Sequence, residues 1–286
     1  MDVKNVTVIG SGQMGNGIAH VFAVAGFGVR LVDVDKAALD GAIALIKKNM
    51  DRQVKKEILT AEARDAALGR LKTGDKVADA ADCELVIEAV PERLELKRKI
   101  FAELDKACAP GTILASNTSS LPIGSLAEAT GRAPKVIGMH FMNPVPMMKL
   151  VELIRGDATS DETYETIRAL TEKLGKIPAT SRDVPGFIAN RILMPMINEA
   201  CWTLHEGVGT KEDIDTVMKI GMNHPMGPLK LADFIGLDTC VHIMNVLYEG
   251  LGHEKYKPCP LFAELVKKGH LGAKTGQGFY DWTKKK

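Results

Sequence analysis

Apolar positions in the first part of the chain alternate between strand-like and helix-like spacing. The segment Val3–Gly10 starts with alternating and ends with continuous apolar residues, as a buried parallel strand does. Helical spacing follows and ends near Gly26 and Gly28, and Val29–Asp35 is a second strand-like segment. A strand, a helix and a strand within about thirty residues predict a βαβ unit.

The pattern continues with more strands and helices up to about residue 183. Two helical stretches, near 36–59 and 60–71, need no strand between them, which predicts a helical hairpin inserted into the sheet domain. A strand over Glu84–Val90 and a helix after it follow. Further strands are predicted in the segments TILASNTSS, KVIGMHFM, KLVELIRG and KIPATSR.

The pattern of apolar residues changes at Val184-Pro185-Gly186, and after this point their spacing is almost entirely that of helices. We therefore predict an α/β protein with two domains. Residues 1–183 form a sheet domain that contains the helical hairpin, and residues 184–286 form an all-helical domain.

Composition narrows the range of partners. Apolar residues make up 45% and charged residues 26% of the chain, and the net charge is +1, which is typical of a globular protein and gives no global attraction to nucleic acid or an anionic membrane. No uncharged apolar run is long enough to span a bilayer, and the N-terminus does not resemble a secretory signal. We therefore expect a cytoplasmic protein with neither a nucleic-acid nor a membrane partner.

Five cysteines are widely spaced, with no CxxC motif and no zinc-type spacing to histidine. We expect reduced thiols and no metal site.

The segment GSGQMG, from Gly10 to Gly15, lies between the first strand and the first helix. In that context Gly10 permits a tight turn, Gly12 lets a pyrophosphate approach the backbone, and Gly15 lets the helix pack closely. Gln13 and Met14 complete the loop. Asp33 ends the second strand, where a carboxylate can accept hydrogen bonds from the ribose hydroxyls of NAD and repel the extra phosphate of NADP. The nearby Arg30 and Lys36 leave NADP open as the less favoured cofactor.

Two prolines predict a chain reversal after the strand that contains His140. Pro144 and Pro146 cannot continue a strand easily, and a reversal about Pro146 sets His140 opposite Glu152 in an antiparallel hairpin. A carboxylate beside an imidazole fixes its tautomer, as a dehydrogenase base requires. Without further context, a structural histidine on a strand remains the alternative.

Six segments, in order along the chain, resemble signatures of the short-chain L-3-hydroxyacyl-CoA dehydrogenase family. They are GSGQMGNGIA, EAVPE, SNTSS, HFMNPVPMMKLVE, DVPGFIANR and NHPMGPLKLADFIGLD. The resemblance covers essentially the whole chain. It implies that residues 1–183 are a Rossmann-type NAD-binding domain and that residues 184–286 are an all-helical domain. It also implies NAD as cofactor, an acyl-CoA thioester as substrate and a homodimer formed mostly through the C-terminal domain.

The resemblance also implies roles for individual residues. His140 would be the general base, Glu152 its partner, and Ser119 and Asn190 would contact the substrate. Glu92, Lys97 and Asn117 would lie around the ribose and nicotinamide of the cofactor.

A basic face on the predicted helix 36–59 is a candidate site for the phosphates of coenzyme A. It consists of Lys48, Arg52, Lys55 and Lys56. The sequence does not decide which of Arg52, Lys55 and Lys56 makes contact, and we select Arg52 and Lys56 as substrate contacts. Asn223, far from this face in the sequence, is a further candidate near the acyl group. The alternative for these basic residues is a solvated face balanced by Asp51 and Glu57.

Two other functions remain open from the sequence. One is a dehydrogenase that acts on a free hydroxy acid or sugar acid with the same scaffold. The other is a non-catalytic NAD-binding structural protein, which an intact His140–Glu152 pair disfavours.

Overall fold

The computed structural model describes residues 1–283. They divide into two compact units, Met1–Val184 (unit 1) and Pro185 onward (unit 2). The predicted α/β class is confirmed, with a Rossmann-type sheet in unit 1 and helices throughout unit 2.

Unit 1 is built on an eight-stranded sheet with the order β3-β2-β1-β4-β5-β6-β7-β8. The strands are β1 Asn5–Ile9, β2 Gly28–Val32, β3 Leu71–Gly74, β4 Leu85–Glu88, β5 Ile113–Ser116, β6 Val136–Phe141, β7 Leu150–Arg155 and β8 Ile177–Arg182. The first six are parallel, β6 and β7 form an antiparallel hairpin, and β8 is parallel to β7. The carboxyl ends of β1, β2, β4 and β5 therefore lie side by side, at the same end of the parallel strands.

Helices cover this sheet. They are α1 Gln13–Val24, α2 Lys36–Lys55, α3 Ala61–Gly69, α4 Leu94–Ala107, α5 Ile123–Ala127 and α6 Asp161–Lys173, with short 3-10 helices at Val77–Ala80 and Ala133–Lys135. The central strands are apolar and fully buried, as Val8, Leu31 and Ile87 show, because helices pack on the sheet. Ile18 and Phe22 of α1 fill the same core.

The predicted helical pair is present as α2 and α3, but a strand that the sequence pattern did not predict follows it. The strand β3 pairs with β2 in parallel, so the two helices form the crossover connection between β2 and β3. This edge strand is four residues long, and its Lys72 and Thr73 are exposed. A segment this short and polar shows no clear alternation of apolar residues from which a strand could be predicted. Short, polar strands are common at the edge of a sheet.

Unit 2 has its own core. Its helices are α7 Ala189–His205, α8 Lys211–Thr216, α9 Pro228–Ile235, α10 Leu237–Leu251 and α11 Pro260–Lys267, with a π-helical turn at Val217–Gly221 and 3-10 helices at Glu254–Tyr256 and Ala273–Thr275. Ile197, Leu229, Leu247 and Phe262 are fully buried in this core.

Among residues 1–283, no single helix is long and apolar enough to cross a membrane. Taken together, α9 and α10 would be long and apolar enough, but the chain bends by 98° between them. Both helices bury apolar residues in the core of unit 2.

Candidate active site

The glycine loop joins β1 to α1 and leaves no room for side chains at two of its positions. Gly10 has a φ of +100°, and a Cβ there would lie 2.7 Å from the carbonyl oxygen of Ala89. A Cβ on Gly15 would collide with the carbonyl oxygen of Gly10. Only glycine fits both positions, because the loop packs directly against its own helix and the end of β4.

The same loop exposes its backbone at Gly12. This residue is the N-cap of α1 and provides no side-chain cap, and a Cβ there would point into open space. The first N–H groups of a helix have no intrahelical acceptor, and the helix dipole favours negative charge at that end. The backbone around Gly12, Gln13 and Met14 therefore fits the pyrophosphate of a dinucleotide.

Asp33 directly follows β2 and lies beside the glycine loop. Its Oδ2 accepts hydrogen bonds from the backbone N–H and the hydroxyl of Ser11, each at 2.7 Å, and its Oδ1 accepts one from Asp35 N at 3.0 Å. Burial raises the pKa of Asp33, but the hydrogen bonds from Asp35 and Ser11 outweigh it, so the pKa lies below its usual value. Asp33 is therefore an ionised acceptor at the expected ribose position.

His140 and Glu152 face one another across the β6–β7 hairpin. The predicted register is confirmed, since His140 pairs with Glu152 in the antiparallel ladder. Nδ1 of His140 lies 3.0 Å from Oε2 of Glu152, and the two side chains are 11% and 3% exposed. Because a carboxylate only accepts, Nδ1 is the protonated nitrogen and Nε2 is the basic one.

Asn117 links this hairpin to the end of β5. Its Oδ1 accepts a hydrogen bond at 2.9 Å from the N–H of Phe141, the residue after His140. Asn117 thereby fixes the backbone next to the candidate base, in addition to the cofactor contact predicted for it.

Glu92 holds the segment that contains Ser119. Its Oε1 accepts hydrogen bonds from Thr118 Oγ1 at 2.5 Å, Ser119 N at 2.9 Å and Ser120 N at 3.1 Å. Burial raises the pKa of Glu92, but the charge of Lys97 and the hydrogen bonds from Thr118 and Ser119 outweigh it and leave the pKa below its usual value. The loop after β5 is thus organised around one carboxylate.

Lys97 is 1% exposed and is enclosed by hydrogen-bond acceptors. Its ammonium lies 2.7 Å from Glu88 Oε1, 3.3 Å from Glu92 Oε2 and 3.2 Å from Val90 O. These contacts use all three of its N–H groups. For Lys97 to contact a cofactor directly, it would have to give up one of these contacts. In this structure Lys97 instead acts on the site by holding Glu92.

Glu88 is a site residue that the sequence reasoning missed. It is fully buried at the end of β4 and accepts hydrogen bonds from Lys97, Val90 N and Ser116 Oγ. A carboxylate at the end of an otherwise apolar strand, followed nine residues later by a lysine, was the available signal.

The basic face of α2 borders a cavity of about 930 Å³. Arg52 and Lys56 line it and Lys48 and Lys55 do not, while Pro144, Pro146 and Met147 lie among its other lining residues. Lys149, which was not selected from the sequence, adds a third cation to the lining. The cavity thus combines positive charge with an apolar wall.

Asn190 and Asn223 belong to unit 2. Asn190 lies on the first turn of α7, is 7% exposed and donates its backbone N–H to Gly186 O at 3.0 Å. Asn223 follows the π-helical turn and has a φ of +56°. Their substrate contacts stay predictions.

No group of three or more His, Cys, Asp or Glu side chains in the described residues could hold a metal ion. All five cysteines are buried thiols, and burial raises the pKa of Cys108 to about 11 and that of Cys240 to about 12. None of them is therefore a ready nucleophile.

Comparison with known proteins gives one consistent result. Residues 5–184 match the model of the 3-hydroxyacyl-CoA dehydrogenase NAD binding domain, and residues 186–282 match that of the 3-hydroxyacyl-CoA dehydrogenase C-terminal domain. The chain is 58% identical over 280 residues to a 3-hydroxybutyryl-CoA dehydrogenase of Bradyrhizobium diazoefficiens, covering 98% of this chain and 96% of that protein. It is 52% identical to a probable 3-hydroxybutyryl-CoA dehydrogenase of Bacillus subtilis, covering 100% and 99%.

A solved structure agrees. The chain superimposes with a TM-score of 0.96 on (S)-3-hydroxybutyryl-CoA dehydrogenase PaaH1 from Ralstonia eutropha, at 48% identity, with 99% of this chain and 100% of that chain covered.

Proposed function

The chain belongs to the 3-hydroxyacyl-CoA dehydrogenase family, and on that premise we propose that it catalyses the reversible, NAD-dependent oxidation of short-chain L-3-hydroxyacyl-CoA to 3-oxoacyl-CoA. The preferred substrate is 3-hydroxybutyryl-CoA, since the names of its relatives contain it, and the product is then acetoacetyl-CoA. The observation that supports the chemistry best is the His140–Glu152 pair, held in register by the hairpin.

The proposed chemistry divides between cofactor and protein. NAD, when bound, supplies the acceptor for the hydride that leaves carbon 3 of the substrate. His140 takes the hydroxyl proton at Nε2, and Glu152 stabilises the resulting imidazolium through Nδ1. In the reverse direction the imidazolium returns that proton to the carbonyl oxygen.

Substrate position is proposed to depend on groups around this pair. Ser119, held by Glu92, forms a hydrogen bond with the 3-oxygen or the thioester region. Asn190 and Asn223 are the residues proposed to contact the acyl end. Arg52 and Lys56 meet the phosphates of coenzyme A in the cavity beside α2, where positive charge favours an anion.

A homodimer formed through unit 2 and a cytoplasmic location complete the proposal. Unit 2 carries exposed apolar side chains, among them Val208, Val217 and Ile220, which are 74%, 56% and 76% exposed. Val208 and Val217 also line an apolar groove of about 490 Å³. A surface of this kind is typical of one that a partner covers.

The test is oxidation of NADH by acetoacetyl-CoA and, separately, by free acetoacetate, followed through the absorbance of NADH. We expect turnover only with the thioester. Equal turnover with free acetoacetate would favour a hydroxy-acid dehydrogenase. NADH binding without turnover of acetoacetyl-CoA, free acetoacetate or sugar acids would favour the non-catalytic alternative.

A further inference from the structure

Ser11 is a residue of the glycine loop that the proposed chemistry does not use. It is 4% exposed, and both its N–H and its hydroxyl donate to Oδ2 of Asp33 at 2.7 Å. The two residues are 22 positions apart in the sequence. A side chain of the phosphate loop is thus joined directly to the carboxylate expected to receive the ribose.

Other hydrogen bonds fix Asp33 from the remaining sides. Its Oδ1 accepts from Asp35 N, and its own N–H donates to Gly74 O at 3.2 Å. Gly10 N donates to Val32 O at 2.8 Å and ties the loop to the end of β2. Since a carboxylate oxygen accepts about two hydrogen bonds, the two donors of Ser11 fill Oδ2, so Oδ1 is the oxygen that can face a ligand.

The hydrogen bond to Asp33 also fixes which role the Ser11 hydroxyl can take toward a ligand. Its only proton is donated to Asp33, because an ionised carboxylate accepts but does not donate. The Ser11 oxygen therefore offers only lone pairs to an incoming group. Asp33 Oδ1 and Ser11 Oγ form a pair of acceptors, with a negative charge held beside them.

We propose that Ser11 is a positioning residue that sets the cofactor specificity of this site, by locking Asp33 so that both side chains accept from the adenosine ribose. The inference rests on the proposed use of NAD. The two ribose hydroxyls of NAD can each donate to one acceptor. A 2′-phosphate replaces one donor with a negative charge, and it meets a carboxylate that cannot turn away.

Arg30 and Lys36 are the cations nearest to Asp33 in the sequence, each three positions away. Arg30 donates through Nη1 to the backbone oxygen of Asp79, which uses one of the five N–H groups of its guanidinium within the protein.

The experiment is a double-mutant cycle on the full chain. Dissociation constants of NADH and NADPH are measured by fluorescence titration, without substrate, for the wild type, Ser11→Ala, Asp33→Ala and the double variant. We expect Ser11→Ala to raise the dissociation constant of NADH by ~10-fold, the equivalent of one charge-assisted hydrogen bond. We also expect it to reduce the ratio between the dissociation constants of NADPH and NADH. In the Asp33→Ala background the same substitution is expected to weaken NADH binding clearly less than it does in the wild type, because the part of its effect that acts through Asp33 is already lost.

Ser181→Ala is the matched control. Ser181 is also 4% exposed, and its hydroxyl donates to Arg182 O at the end of β8. Its loss is expected to leave both dissociation constants unchanged. The kcat of Ser11→Ala at saturating NADH is expected to stay within about twofold of the wild type, since the role concerns binding alone.

Two results would overturn the role of Ser11. One is an unchanged NADH dissociation constant in Ser11→Ala, and the other is a loss of NADH affinity that is as large in the Asp33→Ala background as in the wild type. Because the titration needs no turnover, a wild type that binds NADH but leaves acetoacetyl-CoA unreduced would refute the proposed function and still decide the role of Ser11. A wild type that binds neither cofactor would refute both.

Discussion

At the scale of single residues, the proposed chemistry depends on a histidine whose tautomer is set by its neighbour. Glu152 is 3% exposed and accepts from Nδ1 of His140, which keeps the basic lone pair on Nε2. Removing either partner alters the proton transfer and leaves the glycine loop intact.

His140→Gln is expected to lower kcat by about 10²–10⁴-fold, because the substrate hydroxyl then has no positioned base. The dissociation constant of NADH is expected to stay within about twofold, since His140 is not among the residues proposed to contact the cofactor. Steady-state kinetics with acetoacetyl-CoA and a fluorescence titration with NADH measure the two quantities.

His205→Gln is the control for this substitution. His205 is exposed at the end of α7 in unit 2, and we expect wild-type kinetics from the variant. A His140→Gln protein with more than about a tenth of wild-type kcat would exclude His140 as the general base.

At the scale of elements, a buried ion pair joins the end of β4 to α4. Lys97 and Glu88 are 1% and 0% exposed and lie 2.7 Å apart. Such a pair is a weak source of net stability, but the loss of one partner leaves a buried charge without its counterion. Since Lys97 also holds Glu92, this pair supports the loop that contains Ser119.

Lys97→Met is therefore expected to lower the free energy of unfolding by about 3–5 kcal/mol. The double variant Lys97→Met with Glu88→Gln, which removes both charges, should recover a large part of that loss. Urea denaturation of both proteins gives the comparison. Equal destabilisation of the single and double variants would show that the charge left on Glu88 is not the cause.

The face of α2 that borders the large cavity provides a second prediction at this scale. Arg52→Ala and Lys56→Ala are each expected to raise the KM for acetoacetyl-CoA by ~5–10-fold with little change in kcat, because each removes a charged contact to a phosphate far from the reacting carbon. Lys47→Ala is the control, since Lys47 is exposed on the same helix and lies outside the cavity lining. A KM shift shared by all three variants would point to general electrostatic attraction in place of a defined site.

At the scale of the whole molecule, each unit has its own buried core and unit 2 has a large apolar surface. The patch around Val208, Val217 and Ile220 is unusual for a surface exposed to water. A second copy of the chain is the occupant that the proposed function assigns to it.

Light scattering is expected to give twice the chain mass of 30.9 kDa. Val208→Lys combined with Val217→Lys should shift the protein to the mass of one chain, because two ammonium groups cannot be buried without partners. Leu45→Lys on α2 of unit 1, at a residue that is 41% exposed, is the control and should stay dimeric. A wild type with the mass of a single chain would refute the dimer.

The fold could be predicted from the sequence to the extent that apolar spacing was strong. The βαβ unit, the later strands and the helical second domain have long or fully apolar segments, so their periodicity predicted them. The strand β3 was missed, because its packing against β2 decides its conformation and its own residues are mostly exposed. The register of the β6–β7 hairpin was predicted from two prolines, since they limit where the chain can turn.

The sequence by itself determined the fold class, the position of the glycine loop, and the pairing of His140 with Glu152, because each depends on local spacing or a single turn. Only the tertiary structure placed Ser11 against Asp33, Glu92 against the Ser119 loop, and Lys97 between two carboxylates. These partners come from separate strands and helices. The contacts of Ser11 with Asp33 and of Glu92 with the Ser119 loop join residues more than 20 positions apart, and they exist only once the parallel strands bring their carboxyl ends together.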